Sequence, residues 1–139
     1  MIIFTDENIP PHLAKGFDIL QKPESLKSGN SIEVKHWPEY SAYSEKDEDW
    51  IPKVSALNAC MLTQDINISR RKHELELFKK SKLGIFFLRG KNKKSGLSIW
   101  EMVEILAKTW PEITRIALTE KKPFGYEIKA NGKFKKVSI

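Results

Sequence analysis

The chain has 139 residues, 40% hydrophobic and 30% charged, which suits one domain with its own core and excludes a disordered polymer. No apolar run nears the roughly 18 residues of a spanning helix. Asp6 and Glu7 also interrupt the N-terminal run before it resembles a signal peptide. The single cysteine, Cys60, excludes an internal disulfide and a cysteine zinc site, so a cytoplasmic setting without membrane attachment is expected, and the net charge of +6 suits a polyanionic partner such as RNA.

Ile2-Ile3-Phe4 reads as a buried strand stopped by Thr5-Asp6-Glu7-Asn8. Pro10 or Pro11 then suits the first turn of a helix reaching about Leu20, and Lys22 to Asn30 reads as a flexible loop. Ser31 to Lys35 alternates in polarity like an edge strand. Trp50, Val54 and Leu57, with Ile51 beside them, recur at helical spacing. Pro52 belongs in a first turn, which makes Asp49 the natural N-cap.

Ala59 to Leu62 is a second buried strand, running out in Thr63-Gln64-Asp65. Leu75 and Phe78 anchor a helix starting near Ser69, and Leu83 to Leu88 is a third buried strand. Ser98-Ile99-Trp100-Glu101 has the form of a capping box. Trp100, Val103, Leu106, Ala107 and Trp110 form that helix's apolar stripe, and Pro111 is expected to end it. Arg115 to Leu118 reads as a further strand. The last segments, Tyr126 to Lys129 and Phe134 to Val137, flank Asn131-Gly132, a strong hairpin signal.

Continuous apolar strands alternating with helices predict an α/β domain over 1–139. Its mostly parallel sheet is covered on both faces, and an antiparallel hairpin at about 124–138 closes it.

Open parallel sheets bind ligands beyond the carboxyl ends of their strands. Asp6 and Asp65 each follow a strand directly, so two strands deliver an aspartate to one edge. A third acidic segment, Glu45 to Asp49, precedes the Trp50 helix. If helical, Asp47 shares a face with Trp50 and Ile51. Carboxylates converge only around a cation, and oxygen ligands without Cys or paired His indicate Mg²⁺ or Mn²⁺. Such an ion supports phosphodiester hydrolysis. Arg70, Arg71, Arg89, Lys91, Lys93 and Lys94 follow strand ends and would hold the polymer by its phosphates.

Each residue also has a structural reading. Asp6, Glu7 and Asn8 suit a helix start, with Asn8 as its cap and Glu7 as a first-turn charge. Asp65 can open an Asx-turn, and the basic segment 89–94 can be a solvated loop. His12, His36 and His73 lack metal spacing and suit surface or packing roles, while most of the tryptophans suit the core.

The segments Asp6-Glu7-Asn8-Ile9-Pro10-Pro11, Asp47-Glu48-Asp49-Trp50-Ile51 and Thr63-Gln64-Asp65 together resemble the PIN-like nucleases, in particular the small PIN-like proteins of the VapC toxin type and their Mut7-C relatives. The resemblance implies a three-layer, Rossmann-like α/β/α sandwich that cleaves RNA with Mg²⁺ or Mn²⁺. It also implies a toxin of a type II toxin–antitoxin pair, neutralised by a cognate antitoxin, with a homodimer left open. It places Asp6, Asp47 and Asp65 as metal-holding acids, with Glu7, Asp49 and Asn67 as further candidates. Asn67 stands where relatives carry another acid, which favours the alternative of an inactive module binding RNA or a protein. For Asp6 and Asp65 to share one metal, their carboxyl groups must lie within about 8 Å, since oxygen ligands sit at roughly 2 to 2.6 Å.

Overall fold

The computed structural model describes residues 1–41, 46–64, 72–90 and 96–137, with the backbone alone for Asp47 and residues 72–75. The predicted start of a helix near Ser69 lies outside the described residues.

Six strands form one sheet: β1 (Ile2–Thr5), β2 (Glu33–His36), β3 (Cys60–Thr63), β4 (Gly84–Leu88), β5 (Phe124–Ile128) and β6 (Phe134–Lys136). Their order is β2-β1-β3-β4-β5-β6, parallel throughout except for the antiparallel β5–β6 pair. Apolar side chains fill both faces, as continuous apolar strands require. Ile3, Cys60, Leu62, Phe86 and Leu88 pack with α1 (Pro11–Ser28) and α4 (Ile99–Thr119). Phe4, Met61, Ile85 and Phe87 pack with α2 (Asp47–Ala56) and α3 (Lys72–Lys79). The result is the expected α/β/α sandwich. Among the described residues no helix is long and apolar enough to cross a membrane.

The chain leaves β1 through α1 on one face and leaves β3 toward α3 on the other. These departures diverge between neighbouring strands, so a crevice opens at their carboxyl ends, where strand order reverses. Asp6 sits there.

Several expectations are corrected. Arg115 to Leu118 is not a strand but the last part of α4, which runs through Pro111. Met102, Ile105, Leu106, Thr109, Ile113, Ile116 and Ala117 form one buried stripe at helical spacing, and a four-residue apolar run reads the same in a buried helix as in a buried strand. Its place in the sheet is taken by β5, which pairs parallel with β4. Trp100 lies off that stripe and is 77% exposed. The capping box is present: Ser98 Oγ accepts from the Glu101 N–H, and Glu101 Oε1 accepts from the Ser98 N–H.

Residues 22–28 are not a loop, because α1 continues through Pro23 to Ser28. An interior proline opposes a helix by about 3 kcal/mol, and side-chain bonds hold this stretch to α4 and to the chain before β2. Gln21 accepts from Trp110 Nε1 at 2.8 Å and donates to Ser25 Oγ, which accepts from the Ile32 N–H. Gly29 at φ 76° supplies the left-handed C-cap. In α2 the N-cap is Lys46, not Asp49, so Pro52 lies inside the helix, and Leu57 closes it half-exposed.

The terminal hairpin turns at Gly132, φ 85°. Deeper in the sheet, Gly84 faces Phe124 across the β4–β5 pair, and a Cβ on Gly84 would run into that ring. Gly84→Ala is therefore expected to destabilise the protein by about 1–3 kcal/mol, the usual effect of overpacking, read from urea unfolding. An unchanged midpoint would show that the two strands have room to separate.

Candidate functional site

The site begins with the end of β1. Thr5 pairs with His36 of β2 on one side and Leu62 of β3 on the other. Asp6 follows, its N–H donating to the Leu62 carbonyl at 3.2 Å, so β3 steers the backbone one residue past the ladder. The chain then turns: the Asn8 N–H donates to Asp6 Oδ1 at 3.0 Å and the Ile9 N–H to the Asp6 carbonyl at 3.1 Å. This is an Asx-turn. The other carboxylate oxygen, Oδ2, accepts from the hydroxyl of Thr63 at the end of β3. One carboxylate thus joins both walls of the crevice, and Thr63 is fully buried beneath it.

Gln64 fastens the same rim. Its Nε2 donates to the Asn8 carbonyl at 2.7 Å, and its Oε1 accepts from the Leu97 N–H at 3.0 Å. The approach to α1 and the approach to α4 are both tied to the end of β3. Reading the sequence missed Thr63 and Gln64 as supporting residues. The available signal was two polar side chains closing an apolar run immediately before an aspartate.

A second buried pair lies behind Asp6. Thr5 Oγ1 and His36 Nδ1 are 2.8 Å apart, both residues buried. Burial lowers the His36 pKa, with the nearby Glu39 carboxylate opposing it, so the neutral imidazole is favoured. That accords with a packing role for His36.

The helix-start readings need correction. The N-cap of α1 is Pro10, with no side-chain cap bond, and its first turn holds no acid. Asn8 therefore does not cap α1 through its side chain; its backbone closes the Asp6 turn instead. Glu7 is an exposed residue of that turn rather than a first-turn charge.

The remaining candidates are placed unevenly. Asp47 is the first residue of α2 and Asp49 the third, with Asp49 exposed. Because α2 leads back into β3, its N-terminus lies toward the carboxyl edge. Arg89 follows β4, donates its N–H to the Ile128 carbonyl at 3.0 Å, and pairs through Nη1 with Glu127 at 2.9 Å. Asp65, Asn67, Arg70, Arg71, Lys91, Lys93 and Lys94 lie outside the described residues, and so does the Asp6–Asp65 separation. Among the described residues, no group of three His, Cys, Asp or Glu is arranged to hold a metal.

Among the described residues, Asp6 brings a hard oxygen donor to the crevice. Asp6 supplies carboxylate oxygens held by Thr63 and by the Asn8 N–H, the kind of outer support that orients metal-ligating carboxylates. Two softer donors lie away from the crevice. Cys60 is buried in the core, where burial pushes its thiol up to about 11 against the opposing pull of Lys122 and the N-terminal ammonium. His36 is engaged with Thr5. Oxygen donors of this kind suit Mg²⁺ or Mn²⁺.

A family model described as a PIN-like domain matches residues 1–90, from β1 through β4 to Gly90. No curated protein and no solved structure matches the chain. The matched segment contains Asp6, Asp47 and Asp65, whereas α4 and the terminal hairpin lie beyond it.

His36 makes stability depend on pH. Its folded pKa is below the ordinary value near 6.5, so the unfolded chain binds the proton more readily. The stabilisation is fully present above about pH 6.5 and is lost as pH falls toward and through the folded pKa. Urea unfolding from pH 7.5 to 5 should show a stability loss that His36→Gln reduces, with a slope from this one group of at most about 1.4 kcal/mol per pH unit. Identical slopes in the two proteins would mean that His36 is not held neutral.

Proposed function

The chain belongs to the PIN-like domain family, whose fold is of nuclease type, and from that membership we propose that it is a divalent-metal-dependent endoribonuclease. The observation that carries the reading is the Asp6 carboxylate, held by Thr63 and the Asn8 N–H at the point where strand order reverses. Asp6, Asp47 and Asp65 would hold the ion, Mg²⁺ or Mn²⁺, with Glu7, Asp49 and Asn67 as further candidate oxygen donors. When bound there, such a cation supplies a water of lowered pKa and neutralises charge developing on the phosphodiester.

The chain's own contribution is placement. Thr63 fixes the rotamer of Asp6, and Gln64 fixes the loop that carries it. Arg70, Arg71, Arg89, Lys91, Lys93 and Lys94 would bind the RNA through its phosphates, which orients the strand without reading its sequence. A role as the toxin of a type II pair, restrained by a cognate antitoxin, extends the same proposal. A specific residue favours the second reading, an inactive module binding RNA or protein: Asn67 is an amide in a segment where a further acid would strengthen metal binding.

An RNA-cleavage assay with Mn²⁺ or Mg²⁺ separates the two readings. Asp6→Asn and Asp65→Asn should each abolish cleavage, and EDTA should do the same to the wild type. Thr63→Val should lower metal affinity or activity by about 10- to 100-fold, as loss of an outer-shell partner does. Metal-independent cleavage, or activity surviving both aspartate substitutions, would sink the assignment. Absence of cleavage with intact RNA binding would establish the inactive module.

A further inference from the structure

A cavity of about 380 Å³ opens at the carboxyl ends of β4 and β5, lined by Arg89, Gly90, Glu127, Lys129, Ala130 and Asn131. Arg89 and Gly90 end the family-matched segment, and the other four residues come from the hairpin beyond it. The cavity therefore exists only because β5 docks parallel to β4 and turns back through Asn131 and Gly132.

Its chemistry is that of a donor-rich anion site. Arg89 Nη1 donates to Glu127 Oε1 at 2.9 Å, with the Arg89 side chain 31% exposed and that of Glu127 14%. A guanidinium carries five N–H donors, so this one contact fixes the fork while donors remain for a ligand. Glu127, the one carboxylate lining the cavity among the described residues, is paired by the same contact. Asn131 Oδ1 accepts from the Lys133 N–H at 3.0 Å, so its amide nitrogen is the atom it can offer a ligand. The turn is closed by the Lys129 N–H to the Lys133 carbonyl at 2.9 Å and by the Gly132 N–H to the Lys129 carbonyl at 2.8 Å. Lys129, Lys133, Lys135 and Lys136 make this hairpin strongly cationic.

We infer that the cavity between the ends of β4 and β5 is a phosphate-binding subsite that takes a phosphodiester of the RNA backbone on Arg89, Lys129 and Asn131. The identity of the polymer rests on the proposed nuclease reading; the anion chemistry stands on these residues. With strands spaced about 4.8 Å apart, β4 and β5 stand roughly 10 and 15 Å from β1. A phosphodiester held here would lie on the edge that carries Asp6 but away from the scissile position.

The test is binding of a labelled single-stranded oligoribonucleotide in EDTA, where cleavage plays no part, followed by anisotropy over a series of KCl concentrations. Lys129→Ala should weaken binding about three- to tenfold. It should also lower the slope of log K against log salt by about 0.7, the value for one single-strand phosphate contact. Lys27→Ala removes the same charge from the last turn of α1, at the opposite edge of the sheet, and should change neither. Equal behaviour of the two variants, or no binding by the wild type, would overturn the subsite. So would AMP displacing the oligonucleotide from wild type but not from Lys129→Ala while the salt slope is unchanged, because that marks a mononucleotide site. The expected Lys129→Ala result without Mn²⁺-dependent cleavage would retain the subsite and remove the nuclease reading. Cleavage with an unaffected Lys129→Ala would do the reverse.

Discussion

The contact between the Thr63 hydroxyl and the Asp6 carboxylate is the constraint on which the site depends. It ties the ends of β1 and β3 where the chain departs from the sheet in opposite directions. Without a partner on β3, Asp6 would be an Asx-turn residue pointing from a loop. With Thr63 buried beneath it and the Asn8 N–H on its other oxygen, the carboxylate has one orientation. Gln64 extends the tie to the Asn8 carbonyl and the Leu97 N–H, so three connections share one anchor. Preorganised oxygen donors of this kind are what a hard cation requires.

The sheet supplies the rigidity behind that anchor. Residues of β1, β3 and β4 alternate between the α1–α4 core and the α2–α3 core, which leaves no solvated face in β3 or β4. Polar side chains therefore appear where strands end, and the carboxyl edge collects them: Thr5 with His36, Asp6 with Thr63, Arg89 with Glu127. The edge is divided by charge. Asp6 stands at the reversal point, while cations and amides gather at β4, β5 and the hairpin, a separation suited to a metal beside a polyanion.

Much of this was legible in the sequence, for identifiable reasons. Ile2 to Phe4, Ala59 to Leu62 and Leu83 to Leu88 are apolar without alternation, which only two-sided burial explains, and Asn131-Gly132 announced its turn. Arg115 to Leu118 misled because four apolar residues do not reveal their period; only continuity with Met102, Ile105, Leu106 and Ile113 identifies the helix. Pro111 misled because proline opposes a helix locally, whereas the bond of Trp110 to Gln21 ties α4 to α1 across 89 positions. The placement of Asp6 at a strand end could be read directly. Its bond to Thr63 could not, since parallel pairing brings together residues 57 positions apart. The β4–β5 cavity was invisible for the same reason: its walls meet only once β5 takes the place expected of residues 115–118.

The most direct test of the central claim is a crystal of the protein grown with Mn²⁺ and measured for anomalous scattering. A manganese peak is expected in direct contact with the Asp6 carboxylate, at the β1–β3 crevice, with a carboxylate of Asp65 or Asp47 completing the oxygen ligands. Ordered Asp6 density without manganese, or manganese bound only away from the ends of β1 and β3, would contradict the claim.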